Sequence, residues 1–500
     1  MAVARTSPSI EVKKKLNHPI IDTDGHMVEF LAPIEDYVKA IGGTKFAVRF
    51  PRTLYRNVPE TNEQRRDKGR IGPSWWNLPA KNTLDRATAA LPKLLHQRLD
   101  EMGIDFTVLF PTHQLGLDVY RVGSAAINSY LDPEVQRIRA KAVNTYQADI
   151  CREYSDRMTP VAEVVMVNPK DAMEDLEQAV KQLGLKVISI SSVYRPIKAI
   201  QERFPEFYSS QGDMWTGRLG ARLDTFGIDS EYNYDPFWAK CVELKVPVMD
   251  HNTGLGWPDR NSPSNYMFNR IGAFTNSHEA ICKSLLLGGV TRRFPTLKFA
   301  FLEGGATWAC RLYTDMVNNW KKRNRKTIHN YNPANLDREL LVKLYKEYGD
   351  SILKKKLERL IEVTPGIEPE NVPDSMLDEW APANITRPED FLDLYVKPFY
   401  FGCEGDDPAN ALAFKSEIWP LGAKLKAMFS SDLGHWDVPD MREILAEAYE
   451  LVEHGLMNED DFRKFTFSTP VELFAGMNRD FFKGTVLESQ VAKELRAQAK

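Results

Sequence analysis

The strongest constraint on this 500-residue chain is a rhythm. Eight short runs rich in β-branched and aromatic residues recur along it: Ile20–Asp22, Thr107–Pro111, Val161–Val167, Val187–Ser191, Val246–His251, Lys298–Glu303, Pro398–Gly402 and Ala427–Ser431. Turn residues bound each run. Between them lie amphipathic stretches such as Ala172–Leu183 and Glu279–Leu287, whose apolar positions recur near the helical period. Strand and helix in alternation make an α/β architecture with a parallel sheet, and continuous apolar strands suit a sheet buried on both faces. An eight-stranded (β/α)8 barrel is the simplest closure. A doubly wound open sheet uses the same elements, and strand number does not separate the two.

The rhythm leaves two long excursions. One, roughly residues 43–91, follows the first strand and is rich in Arg, Pro, Trp and Asn. The other, roughly 320–392, separates the sixth and seventh strands and holds a charged helix predicted over Leu340–Val363 and a Pro-rich acidic loop. The expected organisation is an N-terminal tail (1–17) with a solvated Lys13–Lys14–Lys15 run, one barrel domain (18–487), and a polar C-terminal helix (488–500). There is no internal repeat.

The net charge of −4 provides no global field for nucleic acid, and no apolar run reaches the ~20 residues of a membrane span. Five scattered cysteines without a CxxC pair argue against a disulfide framework or zinc–thiolate site and suit a reducing, cytoplasmic location. The opening residues lack a signal-peptide apolar core. No GxSxG elbow and no complete GxGxxG fingerprint is present, which disfavours a serine hydrolase and a dinucleotide binder.

Chemistry is concentrated where a parallel barrel keeps it, at strand C-terminal ends. The first strand runs into Asp22-Thr23-Asp24-Gly25-His26 and the fifth into Asp250-His251-Asn252. The sixth ends in Glu303-Gly304-Gly305 and the eighth in Ser430-Ser431-Asp432-Leu433-Gly434-His435. A D-x-H spacing puts Asp24 and His26 on one side of an extended chain, because strand side chains alternate. With His251 and Asp432 converging from other strands, two imidazoles and two carboxylates surround one divalent cation. Such mixed N/O ligation suits Zn2+, with Mn2+ or Fe2+ as alternatives. The bland alternatives are helix N-caps for the acids and hydrogen-bonded structural roles for the histidines.

In order and spacing, the segments IDTDGHMVE, RLDEMGIDFTVLFPT, DPFWAKCVELKVPVMDHNTG, GGVTRRFPTLKFAFLEGGATW and FSSDLGHWD resemble the amidohydrolase-related family of the amidohydrolase superfamily, the group that contains aminocarboxymuconate-semialdehyde decarboxylase. The resemblance runs from Ile20 to about Val438. It implies a distorted (β/α)8 barrel with one catalytic divalent metal held by Asp24, His26, His251 and Asp432. Asp432 also handles protons, and His435 supports its loop. Decarboxylases of that family usually carry a His before the Gly-rich turn ending strand six, whereas this chain has Glu303.

Glu303 is therefore read as a proton-transfer residue or an orienter of a ligand His, against the plain alternative of capping the next helix. His278 is a substitute acid or base, or else a surface His in a capping region. His113 is a pocket-lining candidate. Trp257, Trp308, Phe429 and Trp436 are either pocket wall or core.

Two reactions share this site. In hydrolysis, a metal-activated water attacks a small carbonyl- or carboxylate-containing substrate, with Asp432 taking the proton. In non-oxidative decarboxylation of a small, possibly aromatic, carboxylic acid, a protein acid protonates the carbon that loses CO2. The Glu303 departure tips the reading to a hydrolase. A non-catalytic degenerate barrel is the third reading, but none of the four ligands is missing. A homodimer is expected, with apolar surface drawn from the excursions, for example Trp75-Trp76 and Phe391-Leu392.

Overall fold

The protein is described by a computed structural model covering residues 6–49, 61–67, 81–112, 133–190, 193–205, 221–251, 262–332, 335–363 and 377–498. Eleven strands occur among them: β1 (Ile21–Met27), β2 (Phe106–Pro111), β3 (Met158–Pro160), β4 (Ala162–Val164), β5 (Ile188–Ile190), β6 (Val193–Pro196), β7 (Ala221–Asp224), β8 (Val248–Asp250), β9 (Phe299–Phe301), β10 (Phe399–Glu404) and β11 (Lys426–Ser430). β1, β2 and β3 pair in parallel, and so does the series β11-β10-β9-β8-β5-β4.

Backbone hydrogen bonds join the two series at both ends. Val161 N–H donates to Leu109 while Ala162 N–H donates to Val187, so one extended stretch, β3 and β4 together, serves both neighbours. Across the other seam Asp432 N–H donates to Asp24 at 2.9 Å and His26 N–H to Leu433 at 3.0 Å. The result is a TIM-barrel-like α/β fold in which β3 and β4 make one staggered position of eight.

Alternation decides which residues fill it. Ile21, Phe106, Val108, Phe110, Val161, Val187, Met249, Ala300, Leu302, Tyr400 and Met428 form the lumen core, all at most 1% exposed. Their neighbours Ala162, Val164, Ile188, Val248, Phe299 and Phe401 face the surrounding helices. The lumen core continues into Phe474, Phe481, Phe482, Leu487 and Val491 from the C-terminal segment, which plugs the end opposite the polar strand termini. Each such side chain contributes roughly 1.5–3 kcal/mol on burial. The C-terminal helix, Glu488–Gln498, is thus docked through Val491 and a Glu494–Arg463 pair.

Several expectations are corrected. The N-terminal segment holds a helix, Pro8–Lys15, capped by Ser7, whose hydroxyl accepts from Ile10 N–H and donates to Glu101 C=O at 2.6 Å. Lys13 pairs with Asp105; only Lys14 and Lys15 are solvated. The antiparallel β6–β7 pair was not anticipated, because VYRP and ARLD are short and charged; a buried Arg195–Asp224 pair at 2.9 Å ties it together. The helix expected over Leu340–Val363 is broken into pieces, the first ending at Gly349 and the second begun by Asp350, which caps Ile352 and Leu353. Phe391 is fully buried and offers no surface, and Trp75-Trp76 lie outside the described residues. Among the described residues no helix is long and apolar enough to cross a membrane.

Candidate metal centre

β1 carries the first two polar side chains into the end of the barrel. Its register against β2 shifts between Asp22 and Gly25, an irregularity that lets closely spaced acids do different work. Asp22 is structural. Its carboxylate accepts from Thr107 Oγ1 (2.6 Å), Ser431 Oγ (2.9 Å), Ser431 N–H (2.8 Å) and Asp24 N–H (3.2 Å). It therefore clamps the first, second and eighth barrel positions together. Burial raises its pKa to about 6 despite these donors. Gly25 is required beside it, since a Cβ there would lie 2.5 Å from Thr107 Oγ1 and 2.8 Å from Asp22 Oδ2.

Asp24 and His26 face the other way, into the centre. His26 Nε2 is 3.4 Å from Asp24 Oδ1 and 3.2 Å from Asp432 Oδ1. His251 Nε2, just beyond β8, is 3.2 Å from Asp24 Oδ1 and 3.3 Å from Glu303 Oε2. One ligand atom from each of Asp24, His26, His251 and Glu303 lies within 4.8 Å of all the others, and the same holds for His26, Glu303, Asp432 and His435. All these residues except His435 are buried.

Several atoms at the centre of this group lack hydrogen-bond partners: both oxygens of Asp24, both ring nitrogens of His26 and His251, and Glu303 Oε2. Buried polar atoms left so cost about 1–3 kcal/mol each, unless something else satisfies them. Tetrahedral ligands about 2.0–2.2 Å from one ion stand roughly 3.3–3.6 Å apart. Asp432, His26, Asp24, His251 and Glu303 follow one another at 3.2–3.4 Å, each neighbouring pair at the separation of two ligands on one ion. The donor set fits a divalent metal.

The electrostatics agree. Burial raises Asp432 to about 8 and pushes Glu303 well above the ordinary carboxylate range, with neighbouring carboxylates adding to both. Burial also holds His26 well below its ordinary value. At His251 burial acts in the same downward direction, but Asp24 and Asp432 outweigh it and the net shift is upward. So many crowded carboxylates mark a place built for added positive charge.

Glu303 and Asp432 share a further trait: both have left-handed backbones, with φ of 57° and 48°. For residues other than glycine this costs of order 1 kcal/mol or more and is concentrated at functional sites. Glu303 is not a helix cap, because the following helix, Thr307–Arg323, begins after Ala306. One carboxylate oxygen faces His251, and the other pairs with Arg270. Arg270 ends the short helix Tyr266–Arg270, reaches Asp437 at 3.1 Å and Glu404 at 3.8 Å, and lies over the Phe274 ring.

His278 is not at the surface. It is fully buried in the second turn of the helix Ala273–Leu287, 3.8 Å from Asp250 and packed near Phe274, Phe301 and Trp308. That places it behind the ligand cluster. Gly304 makes the room, since a Cβ there would meet His278 Nδ1 at 2.9 Å and Trp308 Nε1 at 3.0 Å. Trp308 and Phe429 pack into the core, against Phe401 and Phe465. His113 and Trp257 lie outside the described residues.

Sequence reasoning missed Arg270, Glu404 and Asp437, and assigned His435 only to loop support. His435 Nδ1 is 2.5 Å from Asp432 Oδ1, and its ring stacks on His26 at 3.8 Å. Asp437 and His435 sit inside the FSSDLGHWD segment and were within reach; nothing in the local sequence marks Arg270.

Residues 113–324 match the family model described as Amidohydrolase. This span includes His251, His278 and Glu303. Among solved structures, an amidohydrolase from Mycobacterium avium subsp. paratuberculosis K-10 is similar over 92% of this chain and 100% of its own, with a TM-score of 0.51 and 16% identity. The 5-carboxyvanillate decarboxylase LigW from Sphingomonas paucimobilis aligns over 91% of this chain and 98% of its own at 13% identity and a TM-score of 0.46. The first of these likenesses supports the fold.

Proposed function

We infer, from a chain that belongs to the amidohydrolase superfamily and is an enzyme, a hydrolase that uses one divalent metal ion on a small carbonyl- or carboxylate-containing substrate. The observation that carries the reading is the run of buried imidazoles and carboxylates at 3.2–3.4 Å spacing, with the atoms of Asp24, His26 and His251 left without hydrogen bonds. Asp24, His26, His251 and Asp432 hold the ion, with Zn2+ the first choice for two imidazoles and two carboxylates. When bound, the ion supplies Lewis acidity and makes a water nucleophilic near neutral pH.

The chain's own groups do the rest. Asp432 takes the proton of the attacking water, and His435 Nδ1, 2.5 Å from Asp432 Oδ1, holds that carboxylate in place. Arg270 holds one oxygen of Glu303 so that the other stays on His251. Glu303 thereby orients a ligand and is placed to serve the leaving group. His278, beside Asp250, supports the strand that delivers His251. Asp22 sets the distance between the two strands that carry Asp24 and Asp432 across the closing seam.

One observation favours the second reading, non-oxidative decarboxylation. Burial pushes Glu303 well above the ordinary carboxylate range, which is what an acid that protonates carbon needs. Turnover in 18O-labelled water, with substrates drawn from amides, esters and aromatic acids, separates them. Label in a carboxylate product supports hydrolysis; released CO2 with solvent hydrogen on carbon overturns it.

The same reading includes a single barrel domain over residues 18–487, a homodimeric assembly and a cytoplasmic setting. All five cysteines are free and buried, which suits a reducing compartment.

A further inference from the structure

Beyond the helix Thr307–Arg323, the excursion between β9 and β10 carries a helix, Arg338–Tyr348, followed by the short turns Ser351–Lys354, Leu357–Arg359 and Leu360–Val363. None of the described side chains in these four pieces is buried. Yet Leu340, Leu344, Tyr345, Tyr348, Ile352 and Leu353 are 36–76% exposed. At 3.6 residues per turn, Leu340, Leu344 and Tyr348 follow one line along the helix, with Leu341 and Tyr345 beside it. An 11-residue helix in water is marginal without an apolar face packed against something. Among the described residues, the barrel does not cover this face.

The pattern of charge says what does. Two helices packed antiparallel about a two-fold axis bring the same flank of each copy together. Lys343 and Glu347 lie on one flank of the stripe, two residues to either side of Tyr345. With the axis at Tyr345, Lys343 meets the partner's Glu347 and Glu347 meets the partner's Lys343, both as opposite charges.

We propose that the helix Arg338–Tyr348 is the contact between two copies of this chain, paired antiparallel along its Leu340–Leu344–Tyr348 stripe. This rests on the homodimer reading above and adds the surface that makes it.

The test is sedimentation of the full-length protein at about 10 μM, within the range of specific subunit association. The wild type runs as a dimer. The double variant Leu344→Glu/Tyr348→Glu, both exposed positions, runs as a monomer with its metal content unchanged. Glu347→Lys weakens the dimer roughly tenfold through like-charge contacts, and adding Lys343→Glu restores it to within about threefold. A wild-type monomer overturns the dimer and this surface together. A dimer that survives Leu344→Glu/Tyr348→Glu overturns the surface alone, and failure of the charge swap to restore pairing overturns the antiparallel register.

Discussion

Asp22 accepts a hydrogen bond from the backbone N–H of Ser431 at 2.8 Å, across 409 residues of sequence and the closing seam of the barrel. The residue after Ser431 is Asp432, and two residues after Asp22 stands Asp24, the two carboxylates proposed to hold the metal. The carboxylate that closes the fold therefore also spaces the proposed metal site.

From that relationship, Asp22→Ala should destabilise the protein by roughly 3 kcal/mol, because it leaves the Ser431 N–H and Thr107 hydroxyl buried without an acceptor. Asp22→Asn keeps an oxygen for Ser431 N–H and lets the two hydroxyls turn, so its cost should stay under about 1 kcal/mol. Urea unfolding of the three proteins measures this. Equal losses in both variants would mean that burial, and not this hydrogen-bond pattern, sets the requirement at the position.

Arg270→Gln should lower kcat about 10–100-fold and also lower the melting temperature, since Arg270 holds Glu303 and is the cation shared by Glu404 and Asp437. Steady-state kinetics on any substrate found for the wild type, together with thermal melts, decide it. A loss within threefold would remove Arg270 from the account.

Much of the fold was legible because apolar alternation and turn residues act locally. All eight expected barrel positions overlap observed strands. Of the residues singled out at strand ends, Asp24, His26 and His251 are brought together with Glu303, and Asp432 falls in a neighbouring group with His26, Glu303 and His435. What was not legible depends on distant partners. Arg270 matters only because Glu303, Glu404 and Asp437 arrive from three other segments. His278 looked like a surface residue because the helix start at Ala273 lies one turn earlier than its capping signals implied. The β6–β7 pair is held by a buried ion pair, not by an apolar pattern. Phe391 looked available for an interface because Trp320 and Trp380, which pack on it, reach it only when the excursion folds back on itself.

His18 gives a pH-dependent prediction away from the site. Its Nε2 is 3.0 Å from Thr466 Oγ1, and burial, with Arg463 and Lys13 nearby, lowers its pKa from 6.5 to about 4. Between those values the unfolded chain binds a proton that the folded chain refuses, so stability is fully present above pH 6.5 and is lost as pH falls through 4. Discounted for solvent screening, the wild type should lose about 2 kcal/mol relative to His18→Gln across that window. Denaturant midpoints of the two proteins at several pH values test it; parallel curves would contradict it.

Glu303→Gln keeps the shape beside His251 and removes the titratable carboxyl. If Glu303 moves a proton, turnover should fall by about 10²–10⁴-fold with metal retained. A change under about threefold would reduce Glu303 to an orienting role.

The central claim is the ion. Elemental analysis of purified protein should find about one divalent metal per chain, falling to a small fraction in both His26→Ala and His251→Ala, with far-ultraviolet circular dichroism unchanged. Full occupancy in both variants, or a wild type that neither contains nor takes up a divalent metal, would contradict the account.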